Sequence, residues 1–189
     1  MARIRLVPTE ELTPGLREIA KGAEVHKLNP AIFRAAGNLP SVYESFWKFY
    51  APLKLEGLLE QRLKELVRLK IADLNQCATW KLGRAVPAVQ QGMTEEMIES
   101  LVDVESAGIT ERERIAVRFA ELMATDHNSI GDGFFEDLRS EFTDPEIFEL
   151  GMITGQFIGY GRLLSILDLE NPNQPNGDEE IPINPRWPC

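Results

Sequence analysis

From Leu58 to Leu74 the chain sets Leu58, Leu59, Leu63, Leu66, Val67, Ile71 and Leu74 close to i, i+3/i+4 spacing, with Glu60, Lys64, Arg68 and Asp73 between them. A helix advances 100° per residue, so this period gathers the apolar side chains into one stripe and predicts an amphipathic helix of about four turns. Such a stripe needs covering. The rest of the sequence supplies helices to cover it and few strand signals.

Residues 3–8 read as a short extended lead-in. Thr13-Pro14 opens a helix with proline at its first position. Asn29-Pro30 opens another through about Ala36, closed by Gly37-Asn38. Ser41 and Glu44 have the spacing of a capping box for a helix carrying Phe46, Trp47, Phe49 and Tyr50 and limited by Pro52. Asn75 breaks the long periodic stretch and caps a helix from Gln76 to Gln91, which ends at Gly92. Thr94 caps a short helix through about Leu101. Thr110 and Glu113 form a second capping box. Asp132 caps the segment Phe134–Phe142, and Asp144-Pro145 starts a last long helix reaching Leu167. Gly151, Gly155, Gly159 and Gly161 on that helix suggest close helix packing. The expected architecture is all-α over residues 1–170. Residues 171–189 form a tail rich in Pro, Asn and acidic groups without helical period. Trp187 gives the tail a reason to dock on its own body or on a neighbouring subunit; a free tail is the alternative.

Charge and composition exclude several function classes. The 30 acidic residues outnumber 20 basic ones, for a net charge of −10. This disfavours nucleic acid and anionic membrane surfaces as partners, since both attract a basic face. Hydrophobic residues make up 43% of the chain, enough for a sizeable core. No apolar run reaches the roughly 18–20 residues that cross a bilayer. The N-terminus meets acidic residues too early for a signal-peptide core. A cytoplasmic protein is the expectation. Two cysteines, Cys77 and Cys189, do not make a disulfide scaffold, and with two isolated histidines, His26 and His127, they give no metal-ligand spacing. No glycine-rich phosphate loop is present. No metal or cofactor is expected.

The stretch from Glu65 to Arg84 carries the chemistry. It places a carboxylate inside a helix and a cysteine twelve residues later. With Asn75 as cap, Cys77 falls at the second helical position, where the helix dipole and free N–H groups favour a thiolate. Trp80 and Arg84 follow at i+3 and i+7 on the same face, and Arg84 is near enough to Trp80 to stack. Each residue type also has an ordinary reading: a buried hydrophobe, a solvated charge, a core aromatic and a surface cation.

This segment resembles the carboxymuconolactone decarboxylase and alkylhydroperoxidase D-like family. The likeness extends through ELVRLKIADLNQCA, QQGMTEEMIESL, ERERIAVRFAELM and EIFELGMITGQFIGYGRLLSILDLE, over roughly residues 40 to 170. It implies an alkylhydroperoxidase D-like helical bundle, a small-molecule substrate and a homo-oligomer (dimer, trimer or hexamer). The redox-active members carry a motif similar to E–x(11)–C–x–x–C–x–x–x–H. Their second cysteine attacks peroxide, the first resolves it, and the glutamate and histidine relay protons. Matched position by position, the glutamate is Glu65, the first cysteine Cys77, and the polar residue before the second cysteine Thr79. Trp80 stands in place of the second cysteine and Arg84 in place of the histidine.

Those departures rule out an intramotif disulfide, and Arg84, with a pKa above about 12, shuttles no protons near neutrality. Three functions follow as expectations. One is a one-cysteine, peroxiredoxin-like thiol enzyme, with Cys77 as nucleophile, Glu65 as proton acceptor if burial raises its pKa, Thr79 as hydrogen-bond donor, Arg84 stabilising the thiolate or an anionic leaving group, and an external thiol or Cys189 as resolver. Another is a non-redox lyase, decarboxylase or hydrolase that uses Arg84 to hold a small carboxylate or lactone and Trp80 as a wall. The last is a non-catalytic binding or assembly module on the same fold.

Overall fold

The computed structural model describes residues 2–25, 30–77, 81, 83–105 and 107–169. Among them nine α-helices follow in order: α1 Pro14–Val25, α2 Ala31–Ala36, α3 Pro40–Leu55, α4 Gln61–Leu74, α5 Val86–Gln90, α6 Glu95–Ser100, α7 Glu111–Thr125, α8 Asp132–Glu141 and α9 Asp144–Ile166. Short 3-10 turns lie at Thr9–Glu11 and His127–Ser129, and no strand occurs among the described residues. The tail with Trp187 and Cys189 lies outside them, as do His26 and Asn29.

Helix α4 forms the axis of the bundle, with α7 and α9 as its principal neighbours. Leu63 through Ala72 are all buried, so the helix is enclosed on every side rather than amphipathic. The intervening charges are buried too, and each has a counter-charge. Lys64 pairs with Glu149 of α9 at 2.7 Å, Arg68 with Glu65 at 2.7 Å, and Lys70 with Glu121 of α7 at 2.9 Å. A buried ion is tolerable only when paired and hydrogen-bonded; α7 and α9 supply the apolar cover and the partners of Lys64 and Lys70, while Arg68 and Glu65 pair within α4. Glu149 does more: it accepts from the backbone N–H of Leu58 at 2.6 Å and of Leu59 at 3.4 Å, fastening the α3–α4 turn onto α9.

Several caps stand where the sequence indicates. Pro14 begins α1, Thr94 accepts from the N–H of Met97, and Thr110 and Glu113 form a reciprocal capping box. The Ser41 box does not form. Pro40 takes the first position of α3 behind Leu39, and the Glu44 carboxylate instead accepts from the Thr13 hydroxyl at 2.9 Å. Pro52 lies inside α3, which continues to Leu55; so near the end, a missing N–H costs one bond. Asp132 is the first residue of α8, after Gly131. Helix α9 carries an additional capping box, Thr143 with Glu146.

The end of α4 departs most from expectation. Asn75 is its C-cap, not the N-cap of the next helix. Gln76 adopts φ +53°; its N–H bonds to Asp73 O at 2.9 Å, and the N–H of Cys77 bonds to Ala72 O at 2.9 Å. These are the two hydrogen bonds of a Schellman motif, with Gln76 in the left-handed position usually given to glycine. The expected single helix from Gln76 to Gln91 is interrupted: residues 83–85 are non-helical and α5 begins only at Val86.

Candidate functional site

Glu65 lies in the middle of α4 and is 3% exposed. Its Oε1 accepts from Arg68 Nη2 at 2.7 Å and from the backbone N–H of Ala85 at 2.8 Å; its Oε2 accepts from Arg68 Nε at 2.7 Å. Arg68 also donates to the carbonyl of Gly83 at 2.7 Å. One carboxylate and one guanidinium thus take up backbone groups on both sides of Arg84. This explains the interruption at residues 83–85: the Gly83 carbonyl and Ala85 N–H are held by side chains of α4 instead of by a helix. Buried Lys54 of α3 adds a second positive charge facing Glu65.

These surroundings decide what Glu65 can do. Burial pushes its carboxyl pKa up, as expected. The Arg68 charge and hydrogen bonds, the Lys54 charge and the Ala85 N–H pull harder, and the result lies below the ordinary carboxylate value. Glu65 is therefore ionised and fully hydrogen-bonded, which makes it a clamp and a poor proton acceptor at neutral pH. The cation beside it is Arg68, which the periodic pattern had set among the polar positions of α4. The usable signal was the i, i+3 spacing of Glu65 and Arg68, which puts the two on one helix face.

Arg84 turns away from Glu65. Its Nε and Nη2 meet the two carboxylate oxygens of Glu95 at 2.9 and 2.8 Å, and it donates to the Gly83 carbonyl at 3.0 Å. The burial-free side of this pairing is mostly that of Glu95, whose side chain is 67% exposed. The shared face expected for Cys77 and Arg84 required an unbroken helix and is lost with it. Thr79 and Trp80 lie outside the described residues.

Cys77 carries a thiol outside any disulfide, with 0% exposure, immediately after the turn that closes α4. Its backbone N–H is committed to Ala72 and Asn75 is the C-cap of α4, so Cys77 does not hold the second helical position expected from an Asn75 N-cap. Its carbonyl accepts from the N–H of Lys81 at 3.1 Å. A cleft of about 210 Å³ opens nearby between α4 and α6, lined by Leu69, Lys70, Asp73, Ile98, Leu101 and Val102 among others. Glu65, Cys77 and Arg84 do not line it. No group of acidic, cysteine or histidine side chains among the described residues could hold a metal ion, and no described helix is long and apolar enough to cross a membrane.

The chain matches no protein-family model and no curated protein sequence. Solved structures do resemble it. An uncharacterized peroxidase-related protein from Ralstonia eutropha JMP134, described as an alkylhydroperoxidase AhpD core, superposes with a TM-score of 0.74 at 19% identity over 90% of this chain and 93% of that one. The fold is alkylhydroperoxidase D-like. Another peroxidase-related protein with this fold, from Silicibacter sp. TM1040, gives 0.76 at 21% identity over 93% and 95%. A cysteine-to-alanine variant of the debrominase Bmp8, in complex with 2,3,4-tribromopyrrole, gives 0.69 at 16% identity over 89% and 92%. The all-α, alkylhydroperoxidase D-like architecture anticipated from the sequence is thus the one observed.

Proposed function

We propose that this chain is a one-cysteine thiol enzyme of peroxidase-like chemistry, with Cys77 as its nucleophile. The observation that carries the reading is a wholly buried thiol, outside any disulfide, at the end of the core helix that also holds Glu65, in a fold shared with peroxidase-related proteins. A sulfur without exposed surface suits a small, uncharged oxidant better than a bulky or anionic one. The Cys77 thiolate attacks the terminal oxygen of a hydroperoxide; the O–O bond breaks, the alkoxide leaves and takes a proton, and a sulfenic acid remains. Two equivalents of a small thiol then restore Cys77, releasing water and a disulfide. In this reading Glu65 and Arg68 position the chain that follows Cys77, and Thr79 is the proposed hydrogen-bond donor. Arg84, expected to steady a thiolate in this reading and to hold a carboxylate in the alternative, already holds Glu95; the thiol chemistry does without it, whereas the alternative has no other anchor for a carboxylate among the predicted residues.

The test is hydroperoxide turnover with dithiothreitol as reductant, together with dimedone trapping of sulfenic acid. Turnover and a dimedone adduct at Cys77 are expected in the wild type and in Cys189→Ser, and neither in Cys77→Ser. Identical background rates in all three proteins, with no adduct at Cys77, would remove the proposal. The debrominase with the same fold makes 2,3,4-tribromopyrrole the second substrate to assay with the same variants.

A further inference from the structure

Helix α6 meets α4 through a lysine. Lys70 of α4, buried and paired with Glu121, also donates to the carbonyl of Leu101, the C-cap of α6, at 3.0 Å. An ammonium group suits the negative end of a helix dipole, so the contact is favourable. It also sets the end of α6 on a long polar side chain, and the cleft of about 210 Å³ opens beside that side chain.

The apolar part of the cleft is aliphatic. Leu69 comes from α4. Ile98, Leu101 and Val102, at i, i+3 and i+4, come from one face of α6 and the turn that ends it. Leu69 and Leu101 are buried, but Val102 is 83% exposed. A large apolar side chain thus stands uncovered at the rim of an apolar hollow.

The charges of the lining differ in what they already hold. Lys70 is met by Glu121 at 2.9 Å, and Lys81 and Asp73 meet each other at 2.6 Å. Glu99, three residues before Val102 and exposed, makes no ion pair among the described residues. Residues 95–105 around it carry five acidic side chains and no basic one. A hollow with walls of low dielectric constant and charge of one sign concentrates ions of the other sign.

We infer that this cleft binds a small organic cation, with an ammonium group at Glu99 and a compact apolar body over Val102. A cavity of about 150 Å³ lined by aliphatic side chains takes up a benzene ring. The cleft therefore has room for a ring with a short amine arm. A carboxylate is disfavoured: both ammonium groups of the lining are already engaged, and Glu99 repels it. The site stands apart from the thiol chemistry proposed above, since Cys77 does not line it.

Benzylamine, protonated at neutral pH, is the probe, and benzyl alcohol and benzoate are its neutral and anionic counterparts. Each is titrated into the full chain with isotopically labelled Ile, Leu and Val methyl groups and followed by NMR. Benzylamine is expected to shift the methyl signals of Ile98, Leu101 and Val102 saturably, with a Kd in the millimolar range as its small size allows, and to bind at least about tenfold tighter than benzoate. Glu99→Gln should weaken benzylamine about fivefold or more and leave benzyl alcohol unchanged. Val102→Lys sets a cation at the rim and should abolish benzylamine binding. Both positions are exposed, and unmoved methyl signals elsewhere report that the variants stay folded. The inference is overturned if benzylamine leaves the cleft methyl groups unmoved, if benzoate or benzyl alcohol binds as tightly, or if either variant binds benzylamine as the wild type does.

Discussion

Arg68 grips Glu65 with both prongs of its guanidinium, Nε on Oε2 and Nη2 on Oε1 at 2.7 Å each, one turn apart on α4 and almost wholly buried. Through this pair the core helix holds the chain at Gly83 and Ala85.

Removing either partner strands the other charge in the interior, which typically costs about 3–5 kcal/mol. Glu65→Gln and Arg68→Met are therefore each expected to lower unfolding stability in denaturant titrations by an amount on that scale. The double replacement Glu65→Leu/Arg68→Met removes both charges of the pair, leaving Lys54 to face an apolar side chain, and is expected to cost less than the sum of the single changes. Additive losses would mean that the two residues act independently, against the geometry.

Acid sensitivity follows from the same carboxylate. Burial opposes, but Arg68, Lys54 and the Ala85 N–H outweigh it, and the folded Glu65 pKa lies below the ordinary 4.5. Glu113, paired with Arg62, and Glu146, held by Thr143 and Arg112, shift the same way. A group with a depressed folded pKa adds stability above its unfolded pKa and loses it as pH falls through the folded one. Stability is thus expected to hold from neutrality to about pH 4.5 and to fall below it. Glu65→Gln, already less stable at pH 7, should show a shallower fall. Equal slopes for the two proteins would assign the acid response to the other carboxylates.

Helix starts were legible because capping is written locally: Thr94, Thr110 and Pro14 announce themselves by type and spacing. One helix end was legible for the same reason, with Gly92 at φ +85° after α5. The end of α4 was not, because Gln76 occupies the position where glycine would have signalled it, and so Cys77 read as the second residue of a helix. The buried charges were illegible for another reason. Lys64 and Arg68 fit a solvated face by period, whereas Lys70 falls on the apolar stripe, four residues after Leu66 and three after Val67; only the counter-charges from distant segments, Glu149 and Glu121, reveal an enclosed helix. The candidate residues Glu65 and Cys77 could be named from spacing, but the Arg68 grip and the diversion of Arg84 to Glu95 depend on the fold.

Gln76 offers a direct check on that helix end. A non-glycine residue at φ +53° is strained, and glycine accepts this conformation freely. Gln76→Gly is expected to stabilise the protein by roughly 0.5–1 kcal/mol, less the entropy glycine adds to the unfolded chain. A destabilised variant in thermal or denaturant unfolding would show that the Gln76 side chain matters more than its backbone.

Gly57 should behave in the opposite way. It sits at φ +82°, and a Cβ there would lie 2.3 Å from Oε1 of Glu149, the carboxylate that pairs with Lys64 and caps the α3–α4 turn. Gly57→Ala combines left-handed strain of about 1–2 kcal/mol with displacement of a buried ion pair. A loss above about 2 kcal/mol is expected. A smaller loss would mean that the turn can shift without disturbing Glu149.

The burial of Cys77 ties thiol reactivity to the clamp at Glu65. With 0% of the residue exposed, an electrophile such as iodoacetamide reaches the sulfur only when the surrounding chain opens. In a Cys189→Ser background, labelling of the folded protein is expected to be at least about tenfold slower than in denaturant at the same pH, since only the open fraction reacts. Arg68→Met frees the Gly83 carbonyl and weakens the hold on the segment after Cys77, and should raise the native labelling rate even where the protein remains folded by circular dichroism. Equal rates in the wild type and Arg68→Met would show that access to the thiol runs by another route. Labelling of the wild type as fast as in denaturant would mean that the sulfur is open in solution.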